Sequence, residues 1–166
     1  MRPINLTLYF IFLLFFIFLN GCNAEKSRKT YAIAQEHLHF RDLNQSNYLI
    51  SAEIFYPCES NNTIVNSKFP LIIFAHGYQQ AYGDYRYLWE ALVAQGYILA
   101  FLTTQGGLSI DIDSYSNDIL SLRNELMNTS NTIIAGHITK KSALMGHSTG
   151  GGATLSRATS SYTLAR

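Results

Sequence analysis

One pentapeptide, Gly-His-Ser-Thr-Gly at 146–150, has a spacing that could support nucleophilic catalysis. It follows a short apolar stretch, 142–145, and precedes small residues that could begin a helix. In such a strand–turn–helix the serine stands at the tip of a tight turn. Gly146 and Gly150 leave room where side chains would clash, while Ser148 must adopt strained backbone angles. The pattern predicts Ser148 as a nucleophile, with a helix N-terminus aimed at any oxyanion formed beside it.

A second group of candidate residues is His76-Gly77-Tyr78, which follows the apolar run Phe69–Ala75. Ligand sites in open parallel sheets lie at the carboxyl ends of the strands, so both groups should share one edge. An oxyanion hole needs two converging backbone N–H groups. We expect one from Thr149 and the other from Tyr78. His76 is expected to brace this loop rather than to transfer protons.

The other histidines and acids receive structural interpretations. His147 adjoins the candidate nucleophile, but neighbours at a tight turn point in different directions, so a supporting role is expected. His37 and His39 would share one face of a strand, and no metal site is predicted there. Asp113 and Asp118 are expected in the first turn of a helix, not as a displaced catalytic acid.

A cluster of aromatic residues begins at Tyr78 and continues beyond the His76-Gly77-Tyr78 group, and the sequence leaves its role open. They could form the rim of an acyl pocket, with Tyr78 the best candidate because it follows Gly77 directly. Alternatively, some of them simply pack a helix on the sheet, as Tyr85 and Trp89 could. The cluster comprises Tyr78, Tyr82, Tyr85, Tyr87 and Trp89.

Strands and helices alternate along the central part of the sequence. Pro57 is expected to end the first strand, Asp84 to cap the first helix and Gly96 to stop it. The alternation predicts the α/β class, with a mostly parallel sheet and flanking helices. The predicted strands are 48–56, Phe69–Ala75, 97–103 and 142–145; the predicted helices are 84–95 and 113–127; the segment 128–141 is predicted as a polar loop.

Three runs of this sequence resemble the α/β-hydrolase superfamily: FPLIIFAHGY, AQGY and MGHSTGGGATL. Within it they most resemble chlorophyllases, cutinase-like bacterial polyester hydrolases and platelet-activating-factor acetylhydrolases. The resemblance covers roughly residues 52–158. It implies a serine esterase acting on small or polymeric carboxylic esters, without metal or other cofactor. It also implies Ser148 as nucleophile and the N–H groups of Tyr78 and Thr149 as oxyanion donors.

The sequence departs from the superfamily pattern after the candidate nucleophile. There the catalytic residues run serine, then Asp or Glu, then histidine, yet residues 149–166 contain no Asp, Glu or His. We therefore expect the N-terminal part of a hydrolase domain that lacks its C-terminal strands and is inactive as it stands. The alternative is a non-catalytic lipoprotein that keeps the half-fold as an interaction module.

The N-terminus carries an apolar run that predicts export. Residues 6–19 are apolar except for Thr7, and Arg2 supplies a positive charge before them. The run suits a signal peptide and is short for a membrane span, although a short anchor helix is the alternative. Leu-Asn-Gly-Cys at 19–22 resembles a bacterial lipobox. The motif predicts lipid on Cys22 and a lipoprotein of the bacterial cell membrane or outer membrane, facing the periplasm or exterior.

The predicted organisation is therefore a signal peptide at 1–21, a tether and N-terminal segment at 22–47, and the hydrolase part at 48–166. The composition fits a single domain: the chain has 166 residues, of which 48% are hydrophobic and 14% charged. This apolar fraction excludes a disordered protein. The net charge of +1 gives no reason to expect a nucleic-acid partner. The two cysteines are too few for a disulfide scaffold.

Overall fold

Five strands form one mixed sheet in a computed structural model that describes residues 30–42, 47–107 and 109–163, with side chains described as far as 157. A short 3-10 turn, Tyr82–Tyr85, precedes the first helix. The strands are β1 (Ala32–Asp42), β2 (Tyr48–Cys58), β3 (Phe69–Ala75), β4 (Ile98–Leu102) and β5 (Ile138–Gly146), and the helices are α1 (Arg86–Ala94), α2 (Ile112–Asn128) and α3 (Thr149–Thr163).

The spatial order of the strands is β1-β2-β4-β3-β5. β1 and β2 form an antiparallel hairpin, and β2 runs antiparallel to β4. β4, β3 and β5 are parallel to one another, so their carboxyl ends meet at one edge of the sheet. This edge, called the active edge below, carries both residue groups singled out in the sequence. The predicted α/β class is confirmed.

Helices cover both faces of the sheet and create two apolar cores. α2 and α3 contribute Tyr115, Ile119 and Ala153 to a core on one face. On the other face, Val93 of α1 packs with Phe55 and with further apolar residues of β3 and β4. Because β3 and β4 are central and covered on both faces, their sequences are continuous apolar runs.

The helix α2 shows how the sequence sets local structure. The Asp111 side chain accepts a 2.9 Å hydrogen bond from the Ser114 backbone N–H and so caps the helix. The predicted apolar face is confirmed, because its residues lie in the protein interior. These are Tyr115, Ile119, Leu122 and Leu126.

Two predicted boundaries of elements are wrong. Asp84 does not cap α1: its carboxylate accepts a 2.8 Å hydrogen bond from Ala81 N, so it caps the preceding 3-10 turn instead. β2 continues through Pro57 to Cys58. β4 pairs only with Ala52–Phe55 of β2 and does not reach Pro57. On that side Val65 N donates a 3.2 Å hydrogen bond to Pro57 O, a contact that needs no N–H from Pro57, so the proline is tolerated.

The terminal strands also differ from the expectations. β5 begins at Ile138, inside the segment predicted as a loop, and among the described residues it pairs only with β3. It is therefore an edge strand with Met145 partly exposed, not the buried strand that was predicted. β1 lies within the 22–47 segment and pairs with β2 along its whole length.

The predicted signal peptide and the lipidation site Cys22 lie outside the described residues. None of the described helices is long and apolar enough to cross a membrane. Cys58 is a free, buried thiol.

Candidate active site

Ser148 occupies a sharp turn between β5 and α3. Its φ angle is +51°, in the left-handed region that a residue with a side chain rarely adopts. The turn is held by two backbone hydrogen bonds, from His147 N to Ala75 O at 3.1 Å and from Gly152 N to Ser148 O at 3.0 Å. The Ser148 side chain is exposed. This is the strained, accessible geometry predicted for the segment 146–150, called the elbow below.

The two glycines of the elbow are required by close backbone contacts. A Cβ atom on Gly146 would lie 2.4 Å from the carbonyl oxygen of Gly150. A Cβ atom on Gly150 would lie 2.2 Å from the carbonyl oxygen of Ala75, the last residue of β3. Neither position can hold a larger residue without a backbone shift, in α3 for Gly146 and at the end of β3 for Gly150. The glycines therefore set how closely α3 approaches the sheet.

The loop after β3, residues 76–81, lies beside the elbow and is called the oxyanion loop below. Ala75 and Gly146 are paired across the parallel strands β3 and β5. Tyr78 and Thr149 each lie three residues beyond these paired residues. The two backbone N–H groups that we assign to an oxyanion hole therefore start from neighbouring strand ends. Thr149 is also the first residue of α3, whose N-terminus carries partial positive charge.

His76, the first residue of the oxyanion loop, is buried, with 3% of its surface exposed. Its Nδ1 lies 2.8 Å from Gly77 O and its Nε2 lies 2.8 Å from Thr104 O. The Tyr115 hydroxyl donates a 3.1 Å hydrogen bond to the backbone oxygen of His76. Burial raises the pKa of Tyr115, so this hydroxyl keeps its proton. These contacts tie His76 to Gly77 and to the loop after β4, a position that fits the expected supporting role.

Asp118 belongs to the same region, contrary to the prediction that it serves the first turn of a helix. It is completely buried, and its Oδ2 accepts a 2.7 Å hydrogen bond from the Thr104 hydroxyl and a 3.3 Å bond from Gln105 Nε2. The same Thr104 contacts His76 through its backbone oxygen. A chain of contacts therefore joins α2 to the loop after β4 and to the oxyanion loop.

His147 connects the elbow to the oxyanion loop. Its Nδ1 lies 2.8 Å from Gln80 Oε1 and 3.0 Å from the Tyr85 hydroxyl. The Tyr85 hydroxyl also accepts a 2.8 Å hydrogen bond from Gly77 N and donates one to Gln80 Oε1. These contacts give His147 a supporting position. Sequence reasoning gave no role to Gln80, because a lone glutamine in a loop carries no local signal.

The structure separates the members of the aromatic cluster. Trp89 stacks on Phe55 with ring centroids 4.5 Å apart, and Tyr85 is buried, so both pack α1 on the sheet. Tyr82 lines a cavity of about 390 Å³ beside the oxyanion loop. Tyr78 and Tyr87 are exposed. Part of the cluster therefore faces a cavity and part of it belongs to the core.

The cavity contacts the active edge on one side and the β1–β2 hairpin on the other. Its lining includes His76 and Gln80 at the edge, and Glu53 on β2. The Glu53 carboxylate is 2.8 Å from His37 Nδ1 and accepts a 2.7 Å hydrogen bond from Gln35 Nε2. The cavity could hold part of a substrate whose reacting carbonyl lies near the elbow.

His37 and His39 share one face of β1, and their ring centroids are 5.9 Å apart. The described residues bring together no three His, Cys, Asp or Glu side chains that could hold a metal ion.

Three of the five described non-glycine residues with positive φ lie at the active edge, and the other two are Asn47 and Asn62. Gln79 in the oxyanion loop, Gln105 after β4 and Ser148 after β5 have φ angles of +55°, +62° and +51°. All three lie just beyond the carboxyl ends of the parallel strands. Such residues persist only where the surrounding contacts over-determine them, and they cluster at functional sites.

No histidine ring is hydrogen-bonded to Ser148 within the described part of the chain. The two histidines at the active edge have other partners. The His76 ring contacts Gly77 O and Thr104 O, and the His147 ring contacts Gln80 Oε1 and the Tyr85 hydroxyl. The described site therefore combines the strained turn at Ser148 with the loop after β3 and a cavity, and no described histidine is hydrogen-bonded to the serine.

The fold and the elbow together define the class of protein. A strained serine between a parallel strand and a helix, with glycines on both sides, has the geometry of the nucleophile elbow found in α/β hydrolases. A family model described as serine aminopeptidase, S33, matches residues 67–163, more than half of the chain. The chain belongs to this family of hydrolases. No curated protein matches it.

Proposed function

We propose that the chain carries the nucleophile and the oxyanion hole of a serine-dependent carboxylic ester hydrolase. The observation that supports this most directly is the φ of +51° at Ser148 in a turn with no room for a Cβ on Gly146 or Gly150. Such strain costs on the order of 1–3 kcal/mol and is kept where it serves a site. In this proposal Ser148 attacks the ester carbonyl, and the N–H groups of Tyr78 and Thr149 stabilise the oxyanion.

The choice of an ester over an amide is part of the proposal. The matching family carries the name of serine aminopeptidases, which release residues from the N-terminus of peptides. The residue runs quoted above resemble esterases, and the cavity beside the oxyanion loop includes aromatic and apolar residues such as Tyr82 and Leu102. A panel of nitrophenyl esters and aminoacyl nitroanilides, assayed with imidazole added as the base, separates the two activities.

The export part of the proposal rests on the leader. We infer that lipid on Cys22 anchors the protein in a bacterial cell membrane or outer membrane, facing the periplasm or exterior. A single lipid group anchors a protein without making it span.

The nucleophile is tested with a fluorophosphonate probe. Without a base the serine hydroxyl is a poor nucleophile, so the purified chain is expected to label at background rate. Imidazole added to the buffer can take the proton in place of a histidine side chain, and we expect it to restore labelling. Ser148→Ala should remain unlabelled in both conditions. Wild-type labelling equal to that of Ser148→Ala, with imidazole present, would contradict the proposal.

The expectation that a catalytic acid and histidine lie beyond residue 166 stays a prediction. It is tested by expressing the chain with the codons that follow residue 166 in its gene. A continuation that carries an Asp or Glu and then a His, and that labels without imidazole, would support the enzyme. Unlabelled protein from every form of the gene would favour the alternative, a non-catalytic interaction module with a half hydrolase fold.

A further inference from the structure

We propose that Tyr85 is a positioning residue that fixes the oxyanion loop against the elbow. The proposal deepens the proposed function and rests on it for its catalytic consequence. It assigns to Tyr85 a role beyond the packing of α1, and it makes Gln80 and His147 the two partners through which that role is exerted.

The Tyr85 hydroxyl contacts both functional segments at once. It accepts a hydrogen bond from Gly77 N at 2.8 Å and donates one to Gln80 Oε1, both in the oxyanion loop. It also lies 3.0 Å from His147 Nδ1, in the elbow. The residue is only 4% exposed, so water competes weakly for these contacts.

The direction of each hydrogen bond follows from the chemistry of the partners. Burial raises the pKa of Tyr85, so its hydroxyl keeps the proton that it donates. Gln80 Oε1, which accepts from the Tyr85 hydroxyl, also lies 2.8 Å from His147 Nδ1, and with this amide orientation we assign a hydrogen to that ring nitrogen. In the neutral ring of His147 the hydrogen is therefore on Nδ1 and the free electron pair is on Nε2.

The ring of Tyr85 is held in place independently of its hydroxyl. Its centroid lies 4.6 Å from that of Phe74 and 6.0 Å from that of Phe101, in the apolar core beneath α1. Substitution by phenylalanine therefore keeps the packing and removes only the hydrogen bonds. This makes Tyr85→Phe a specific test.

Gly77 transmits the effect to the oxyanion hole. A Cβ atom on Gly77 would lie 2.5 Å from Gln80 Oε1 and 2.8 Å from His147 Nδ1, so the loop fits closely around these groups. The Gly77 carbonyl shares a planar peptide with the Tyr78 N–H, and its oxygen lies 2.8 Å from His76 Nδ1. With its N–H held by Tyr85 and its carbonyl held by His76, Gly77 is fixed at both ends, and this orients the Tyr78 N–H. A catalytic group displaced by about 1 Å can reduce a rate by about 100-fold.

The first experiment measures the contacts and needs no catalysis. In wild-type protein, NMR should show slow hydrogen exchange at the Gly77 amide and a His147 ring with its hydrogen on Nδ1. Tyr85→Phe should accelerate Gly77 exchange. Gln80→Met, in a partly exposed loop, should change the His147 ring signature, and it serves as the second variant if Tyr85→Phe does not fold. Tyr97→Phe, the same change just before β4, is the matched control and should change neither signal.

The second experiment measures the consequence for the serine. With imidazole as the base, Tyr85→Phe should lower the maximal rate of Ser148 labelling by about 10- to 100-fold. The probe concentration at half-maximal rate should not change, because the hydroxyl contacts protein groups and not the probe. Tyr97→Phe should label as the wild type does.

The two experiments separate the possible failures. Unchanged Gly77 exchange in Tyr85→Phe overturns the proposal, and so does accelerated exchange with an unchanged labelling rate, because Tyr85 would then be structural only. Wild-type protein that fails to label with imidazole contradicts the ester hydrolase. In that case the exchange rate at Gly77 and the His147 signature alone decide whether Tyr85 fixes the loop.

Discussion

Asp118 is a completely buried carboxylate at the end of a chain of contacts that reaches the oxyanion loop. Its partners, Thr104 and Gln105, sit in the loop after β4, where Gln105 has a φ of +62°. The carboxylate therefore holds a strained loop in place, and Thr104 in turn contacts His76. A residue on α2 thus influences the active edge without touching a substrate.

We expect Asp118→Ala to lower the free energy of unfolding by about 1–3 kcal/mol, because it leaves the buried Thr104 hydroxyl without its acceptor. Asp118→Asn keeps an acceptor oxygen and should cost less. Asp113→Ala, an exposed acid in the first turn of the same helix, is the control and should cost about 0.3–1 kcal/mol. Urea denaturation followed by circular dichroism measures all three. Equal losses for Asp118→Ala and Asp113→Ala would contradict this role.

At the scale of the elements, the first turn of α3 contains one glycine that has no room for a side chain and another that has ample room for one. Gly150 lies against the end of β3, where a Cβ would meet Ala75 O at 2.2 Å. Gly152 is exposed, and a Cβ there would meet nothing within 4 Å. One glycine is needed for the approach of helix to strand, and the other only weakens the helix.

The two positions give a paired prediction. Gly150→Ala should destabilise the protein by roughly 3 kcal/mol, because the backbone must shift to relieve the clash, and should abolish imidazole-assisted labelling of Ser148. Gly152→Ala should stabilise it by about 0.5–1 kcal/mol and leave labelling intact. Thermal unfolding and probe labelling of both variants check this. A Gly150→Ala variant as stable and reactive as Gly152→Ala would refute the close approach.

Elements with a strong local signal could be predicted from the sequence. β3 was predicted with its observed bounds because it is a continuous apolar run, and α2 because its apolar face repeats at helical spacing. The first part of β5 was missed because residues such as Lys140 and Lys141 are polar in an edge strand. Asp84 caps a 3-10 turn. An Asp before an apolar periodic segment is expected both at the start of a 3-10 turn and at the start of an α-helix, so the sequence alone does not distinguish the two.

In the candidate site, too, residues of a local motif could be predicted from the sequence, whereas contacts between distant segments could not. Ser148 and its glycines were predicted because the elbow motif is local in sequence. The contacts of Tyr85 with His147, and of Thr104 with Asp118, join residues that lie far apart along the chain or in different elements. Such contacts depend on the tertiary fold, and no single segment of the sequence encodes them.

At the scale of the whole molecule, the predicted lipid on Cys22 decides where the domain would work. β1 starts at Ala32, so along the sequence only residues 23–31 separate Cys22 from the sheet. A lipid at that position would hold the domain close to the membrane surface.

We expect fatty-acid labelling of the full chain in a bacterial host, and its loss in Cys22→Ser. The precursor should then be released or accumulate unprocessed. Cys58→Ser is the matched control, because Cys58 is buried in the fold and should not carry lipid. Equal incorporation of labelled fatty acid into wild type and Cys22→Ser would show that the lipobox interpretation is wrong.

The order of strand pairing has a consequence for how the molecule folds. β1 and β2 are neighbours in sequence and in space, and such hairpins form within about 1–10 μs. Among the described strands β5 pairs only with β3, from which α1, β4 and α2 separate it along the chain. Closing so long a loop costs entropy before the pairing compensates for it. The strained turn at Ser148 should therefore form late in folding, and during refolding the hairpin amides should become protected from exchange before imidazole-assisted labelling of the serine appears.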